Sequence, residues 1–473
     1  MSNKSSPDGE VWSAPASTEP ISATVTIPGS KSQTSRALVI GAIAANPTVI
    51  ENPLAARDTY LMVNAMTQFG ASLEFSSSGN TVTMVAPEEL VGAGKIDCGL
   101  AGTVMRFAAA LAAFANGKTT LIGDFAAQRR PLSPLLDALE DLGAKVKYKG
   151  TPGYLPVRIR GRKTKAKSVF SEDALGNWKQ KDGDAQAVRV DASSSSQFLS
   201  ALLLASPLMP DGTVLRSDGR IPSWPYVSMS IEMLAHQGVK LQPLSRSSWR
   251  TQAKRPEGNP IRIEPDLANA GPFLAAALLA GGSVTIPHWP TKTDQVGKYW
   301  LEILPQFGAS VTLAPEGLTV HAPAGLTWPG VEMDLGAVGE LATTIAALAT
   351  FATSPSILLG IGHLRGHETD RLQALADEIN KLGGEATVLH DGLRIVPKPM
   401  HAAKIDSYDD HRMATFGALI GLRVPGCEVV NVKSTSKTLP NFEEMWEAML
   451  EGRPSPAPLT LAELMANPQP YWD

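Results

Sequence analysis

Apolar and polar positions along this chain sort into two recurring kinds of helix. The first kind is apolar on every face, rich in small residues, and followed by a strand. Six stretches have this form: "SRALVIGAIAANPTVIEN", "GTVMRFAAALAAFANGKTTLIG", "SSQFLSALLLASPLMPDGTVLRS", "AGPFLAAALLAGGSVTIPH", "LATTIAALATFATSPSILLGIG" and "HRMATFGALIGLRVPGCEVVNV". A helix apolar all round predicts burial. The second kind is amphipathic, closes on glycine and enters a hairpin, in five copies that close on Gly70, Gly143, Gly238, Gly308 and Gly383. Glycine suits a left-handed helix end, and the alternating residues that follow suit half-buried strands. A sixth amphipathic helix is expected at "EEMWEAML", with its strand supplied by "SATVTI" near the N-terminus.

The pattern therefore predicts an α/β chain of six βαβαββ units, too many for one compact core. Three units per domain follow. Because the sixth unit borrows an N-terminal strand, residues 1–29 join 257–473 in one discontinuous domain, and 30–256 form the other. Between the second and third units an insert, 162–187, reads as a polar, exposed excursion. The first twenty residues lack a signal or transit pattern and read as a mostly flexible leader. The uncharged run from Leu341 to His363 carries Thr343, Thr344, Thr353, Ser354, Pro355 and Ser356, so a buried helix, turn and strand fit it better than a membrane span.

Composition narrows the partners. With 43% hydrophobic and 19% charged residues among 473 and a net charge of −4, nothing global points to nucleic acid or an anionic membrane surface. The two cysteines, Cys98 and Cys427, form no metal or redox spacing and suit a reducing, cytoplasmic setting.

Charge is informative locally. The small-residue helices open on "GSKSQTSR", "LAGTVMR", "SSSSQ" and "DDHR", and "RRPL", "HETDR" and "STSKT" lie between. A helix N-terminus attracts anions, and arginine suits carboxylate and phosphate. Lys31, Arg36, Arg106, Arg130, Arg371, Arg412 and Lys437 would together make a cationic cleft. A solvated helix end explains any one of them, but not their recurrence at the same place in most repeats. No acid lies between Pro20 and Glu51, so the counter-charge of "PGSKSQTSR" comes from elsewhere in the fold or from a ligand. "GSKS" lacks the glycine spacing of a Walker loop, and His363 and His367 lack a third zinc ligand.

In order along the chain, "PGSKSQTSR", "LAGTVMR", "RRPL", "DASSSSQF", "SWPY", "HETDR", "YDDHRMA" and "TSKTLP" resemble the 5-enolpyruvylshikimate-3-phosphate synthase family of enolpyruvyl transferases, over about Ser22 to Leu450. The resemblance implies a two-domain inverted α/β barrel. It implies transfer of the enolpyruvyl group of phosphoenolpyruvate to the 5-hydroxyl of shikimate 3-phosphate, without metal or organic cofactor, by a monomer. Carried over residue by residue, it gives Lys31, Ser32, Arg36, Ser195, Ser196, Gln197, Ser223, Tyr226, Glu340 and His367 to shikimate 3-phosphate. It gives Lys31, Gly102, Arg130, Gln197, Arg371, Arg412 and Lys437 to phosphoenolpyruvate, and Lys31, Glu340, Glu368 and Lys437 to catalysis. The chain departs from the family's usual pattern at Glu340 (often Asp), His367 (often Lys), Leu100 (often Asn) and Phe107 (often Pro). A histidine at 367 predicts a contact that titrates near neutrality.

Two alternatives share the fold. A UDP-amino-sugar enolpyruvyl transferase would carry Asn after the first Lys and often a Cys before the "RP" step, whereas Ser32 and "AAQRRP" stand here. A non-catalytic phosphometabolite binder would not need both Glu340 and Glu368.

Overall fold

The structure, a computed structural model, describes residues 10–17, 19–162, 170–172, 178–180 and 187–468. The expected looseness of residues 1–9 and most of the 162–187 insert lie outside these. Within the insert, Phe170–Glu172 and Trp178–Gln180 pair as an antiparallel hairpin.

Apart from that hairpin, the described strands form six sheets, five of four strands and one of three. Each four-stranded sheet follows one scheme. In the third unit Ala187–Asp191 runs parallel to Val214–Asp218, which pairs antiparallel with Ser248–Arg250, which pairs with Gln242–Ser245. A small-residue helix links the two parallel strands, and an amphipathic helix leads into the hairpin. The expected glycines all take positive φ, from 72° at Gly238 to 104° at Gly70.

The small-residue helices are buried as expected, and every residue of Gly102–Ala112 is enclosed. Their alanines let backbones approach closely, so Gly102–Ala112 packs on Ser196–Ala205, and Gly271–Ala280 and Ala342–Ala349 pack on His411–Arg423. In the fourth unit the amphipathic helix is broken: only Trp300–Ile303 is α-helical, between 3-10 turns Val296–Tyr299 and Leu304–Phe307. Pro305 has no N–H to continue the ladder.

The N-terminal strands correct the expected topology. Ile21–Thr24, which takes in the start of "SATVTI", joins the fourth unit, parallel to Gly282–Pro287, and not the sixth. The sixth sheet is completed by Val11–Ser13, antiparallel to Glu428–Val430. This part of the leader is ordered because Trp12 is buried, its ring 6.1 Å from that of Phe442. The first unit likewise borrows Ile261–Arg262, parallel to Ile50–Glu51.

Two hydrophobic cores result. One runs from Ala37 to Ile263; the other joins Trp12–Ile27 to Leu267–Met449. The chain passes between them at 28–36 and at 264–266, the second passage lying beyond the expected Glu257. It passes a third time through the proline-spaced segment 453–460, because Leu461 and Leu464 of helix Leu461–Ala466 belong to the first core. Ser455 ties this strap to the chain just before the first passage: its hydroxyl accepts from Thr26 N at 3.2 Å.

Candidate active site

Several helix N-termini converge where the cores meet, each set by its cap. Ser30 caps helix Lys31–Gly41, its Oγ accepting from Gln33 N. Ser195 caps Ser196–Ala205 by accepting from Gln197 N, and Asp410 caps His411–Arg423 by accepting from Arg412 N at 2.9 Å. The chamber between them is lined by Lys31, Ser32, Arg36, Ser195, Ser196, Gln197, Ser223, Tyr226, Glu340, His367 and Arg412. Both halves contribute, and they touch: Ser223 N donates to Gly336 O at 2.9 Å, and Ser223 Oγ lies 3.4 Å from His363 Nε2.

Arg371 organises the acids. Its buried guanidinium donates to both oxygens of Asp410 (2.7 and 3.1 Å), to Glu368 Oε2 (3.0 Å) and to Glu340 Oε2 (3.4 Å). Glu340, in the 3-10 turn Gly339–Leu341, also accepts from Arg412 Nε at 2.7 Å. Glu368 also accepts from Lys437 Nζ and lies 4.0 Å from Arg130 Nη1. Burial pushes the Glu368 carboxyl up, but Lys437, Arg130, Arg371 and Lys31 outweigh it and hold it well below the usual range. Glu340 is likewise pushed up by burial and brought well below by Arg412, Arg371 and His367. Both acids are therefore ionised at neutral pH. Arg371 is raised on balance, because Asp410, Glu340 and Glu368 outweigh its burial.

His367 corrects an expectation. Burial, then Arg371, lowers its pKa to about 3, with Glu340 opposing. Its Nδ1 lies 3.1 Å from Arg371 Nη1, a placement that suits a neutral ring accepting from the guanidinium. It does not titrate near neutrality.

Gly102 sits under two guanidiniums. A Cβ there would come 2.6 Å from Arg106 Nη1 and 2.9 Å from Arg130 Nη2. Arg106 donates to Gln197 Oε1 at 2.8 Å, and Arg130 to Leu100 O at 3.1 Å. The Nε of each reaches no acceptor among the described residues. Arg36 is buried with no carboxylate partner among the described residues; it donates to Ser230 Oγ and the carbonyls of Ser32 and Tyr226 at 2.8–2.9 Å, over the Phe107 ring. Burial lowers its pKa to about 10, against a small opposing pull from Tyr226.

Sequence reasoning missed several residues. Asp58 supplies the acid for Lys31, its Oδ2 3.6 Å from Nζ. Asp266 accepts from Lys31 N at 3.1 Å and lines the chamber with Asn269. These two precede the fourth small-residue helix, where the rule of polar helix starts could have found them. Asp410 and His411 lay inside the quoted "YDDHRMA". Cys98 is buried, its thiol pushed up chiefly by burial, and takes no part in the chamber.

The model of the EPSP synthase (3-phosphoshikimate 1-carboxyvinyltransferase) family matches residues 15–446. This chain belongs to that family. Two relatives, each a 3-phosphoshikimate 1-carboxyvinyltransferase, are 44% identical over 451 residues (Kocuria rhizophila; 93% of this chain, 97% of the relative) and 42% identical over 454 residues (Bifidobacterium longum; 93% and 98%). Among solved structures, an EPSP synthase of Acinetobacter baumannii superposes with a TM-score of 0.70 at 22% identity, covering 93% of this chain and 98% of that one. The enolpyruvyl transferase NikO of Streptomyces tendae gives 0.68 at 18% identity, with the same coverage. The fold is the two-domain inverted α/β barrel. Among the described residues no helix is long and apolar enough to cross a membrane.

Proposed function

We infer that the chamber carries out the family's reaction through the residues assembled above. The reaction joins the enolpyruvyl group of phosphoenolpyruvate to the 5-hydroxyl of shikimate 3-phosphate and releases phosphate. In addition, the hydroxyl oxygen attacks C2 of phosphoenolpyruvate, its proton leaves and C3 gains one. In elimination, the tetrahedral intermediate loses phosphate and a C3 proton. One observation carries the assignment: Glu340, on the chamber wall, and Glu368, against Lys437 and Arg130, are both ionised and fixed by one buried guanidinium, Arg371.

Shikimate 3-phosphate is assigned to Lys31, Ser32, Arg36, Ser195, Ser196, Gln197, Ser223 and Tyr226, with Glu340 taking the 5-hydroxyl proton and His367 beside it. Phosphoenolpyruvate is assigned to Lys31, Gly102, Arg130, Gln197, Arg371, Arg412 and Lys437. The guanidiniums of Arg106 and Arg130 lying over Gly102 at the start of helix Gly102–Ala112 support a small anion there. Preorganised donors of this kind stabilise developing charge without rearranging. Arg371 reaches the anion by loosening Glu340 or Glu368, so its first duty is to aim the two acids. Ionised Glu368 suits removal of the C3 proton, and its contact with Lys437 makes the pair a donor for addition. The two domains are read as residues 1–29 with 257–473 and residues 30–256; the chain leaves the first core at 264–266, and Leu461 and Leu464 return to it. A reducing, cytoplasmic setting fits the two unpaired, buried cysteines.

The test is phosphate release from phosphoenolpyruvate with and without shikimate 3-phosphate. Release that depends on shikimate 3-phosphate is expected. Release without it, or with a UDP-amino sugar in its place, would overturn the reading.

A further inference from the structure

Asp58 stands in the first turn of helix Arg57–Gln68, where the macrodipole favours a carboxylate. The dipole explains an acid there but not its burial. Asp58 is 2% exposed, and its Oδ2 makes no hydrogen bond among the described residues. Its ion partner is Lys31 Nζ at 3.6 Å, beyond hydrogen-bond distance. A buried carboxylate short of hydrogen bonds costs free energy, and a neutral side chain would serve the core better.

Its position shows what the carboxylate does. The main chamber is lined by Lys31 and not by Asp58. A side cavity is lined by Asp58 and Lys437, with Leu100 and Asp124. Asp58 therefore reaches Lys31 from outside the main chamber and shares the side cavity with Lys437. Asp266 is bonded to the Lys31 backbone N–H, and Glu368 already serves Lys437, Arg371 and Arg130. We propose that Asp58 is a positioning residue for the reaction: it anchors the Lys31 ammonium, acts on Lys437 through its charge across the cavity they share, and touches neither substrate. Without it, Glu368 alone would draw both lysines, and Lys31 would swing toward the acid that must move the C3 proton.

The charges around Lys437 agree. Burial lowers its pKa; Glu368 and Asp58 oppose that, while Lys31 and Arg130 reinforce it. His411 also faces it, held neutral chiefly by burial. The inference rests on the roles given above to Lys31 and Lys437.

Asp58→Asn keeps the shape and removes the charge; Asp58→Glu keeps the charge. For Asp58→Asn we expect kcat to fall by about tenfold to a hundredfold, the scale for a working group left misplaced. The KM for phosphoenolpyruvate should stay level or fall, because a negative charge has left an anion site. The alkaline limb of the kcat profile should move to lower pH, since Lys437 loses an acid. Asp58→Glu should keep the parental limb even if it turns over more slowly. An unchanged kcat and limb in Asp58→Asn overturns the proposal. So does a loss shared equally by both variants with a lowered Tm and an unmoved limb, which marks a structural role. If Asp58→Asn does not fold, a displaced limb in Asp58→Glu overturns it. Lys31→Met and Lys437→Met separate the failures. Parental turnover in either sinks the assigned lysine roles; slow lysine variants beside a normal Asp58→Asn sink only the role of Asp58.

Discussion

Glu340 and Glu368 hang from one guanidinium, yet they face different chemistry. Glu368 touches Lys437 and nears Arg130, both assigned above to phosphoenolpyruvate; Glu340 touches Arg412, also assigned to it, but alone of the two lies against His367, assigned to shikimate 3-phosphate. Glu368→Gln should therefore leave shikimate 3-phosphate affinity in place while slowing turnover and C3 exchange in heavy water by about a hundredfold or more. Deuterium entering C3 at the parental rate would pass the role to Lys31 or Lys437. His367 and His411 give a second expectation. Both are held below their ordinary value, chiefly by burial, so the unfolded chain binds protons there that the fold refuses. The contribution of His367 is present above about pH 6.5 and fades as pH falls from there toward 3, and that of His411 fades in the same direction. A urea midpoint that falls from pH 7 to pH 5, and falls less in His367→Phe, is the expected result; the same drop in both proteins would refute it. The motifs exposed the residues that would touch substrate, because anion chemistry demands Lys, Arg and Ser at helix starts. Asp58 and Asp266 were hidden because a carboxylate's partner depends on where a distant segment lands.

Elements were legible where their periodicity is local. The all-apolar helices and glycine ends could be read directly, since burial and positive φ each leave a mark on composition. The pairing of Ile21–Thr24 with Gly282–Pro287 could not, because a short alternating strand fits many edges equally well. Helix Gly102–Ala112 illustrates how an element serves the site: its first residue is glycine so that Arg106 and Arg130 can lie across the backbone. Gly102→Ala would force both guanidiniums aside. The KM for phosphoenolpyruvate should rise about tenfold or more, the cost of a disturbed charge-assisted contact, with shikimate 3-phosphate affinity little changed. Calorimetry on each substrate distinguishes this from a general loss of fold.

Across the whole molecule the halves already meet, through Ser223 to Gly336 and through Arg220 to Asp334 at 3.4 Å. The strap then bears on how far they can part. Segment 453–460 carries Pro454, Pro456 and Pro458. Such a segment spans about 3.1 Å per residue with little slack, so it behaves as a leash of nearly fixed length. At its end Leu461 and Leu464 are plugged into the opposite half, an anchor of about 3–6 kcal/mol before ordering costs. Wide opening must either stop when the leash is taut or pull the plug. The terminal helix would then report on a cleft it does not line. Amides of 461–466 should exchange with solvent more slowly when both substrates are bound than when the protein is empty, and Leu464→Ala should shrink that difference by speeding exchange in both states. Equal exchange with and without substrates would mean that the leash never tightens.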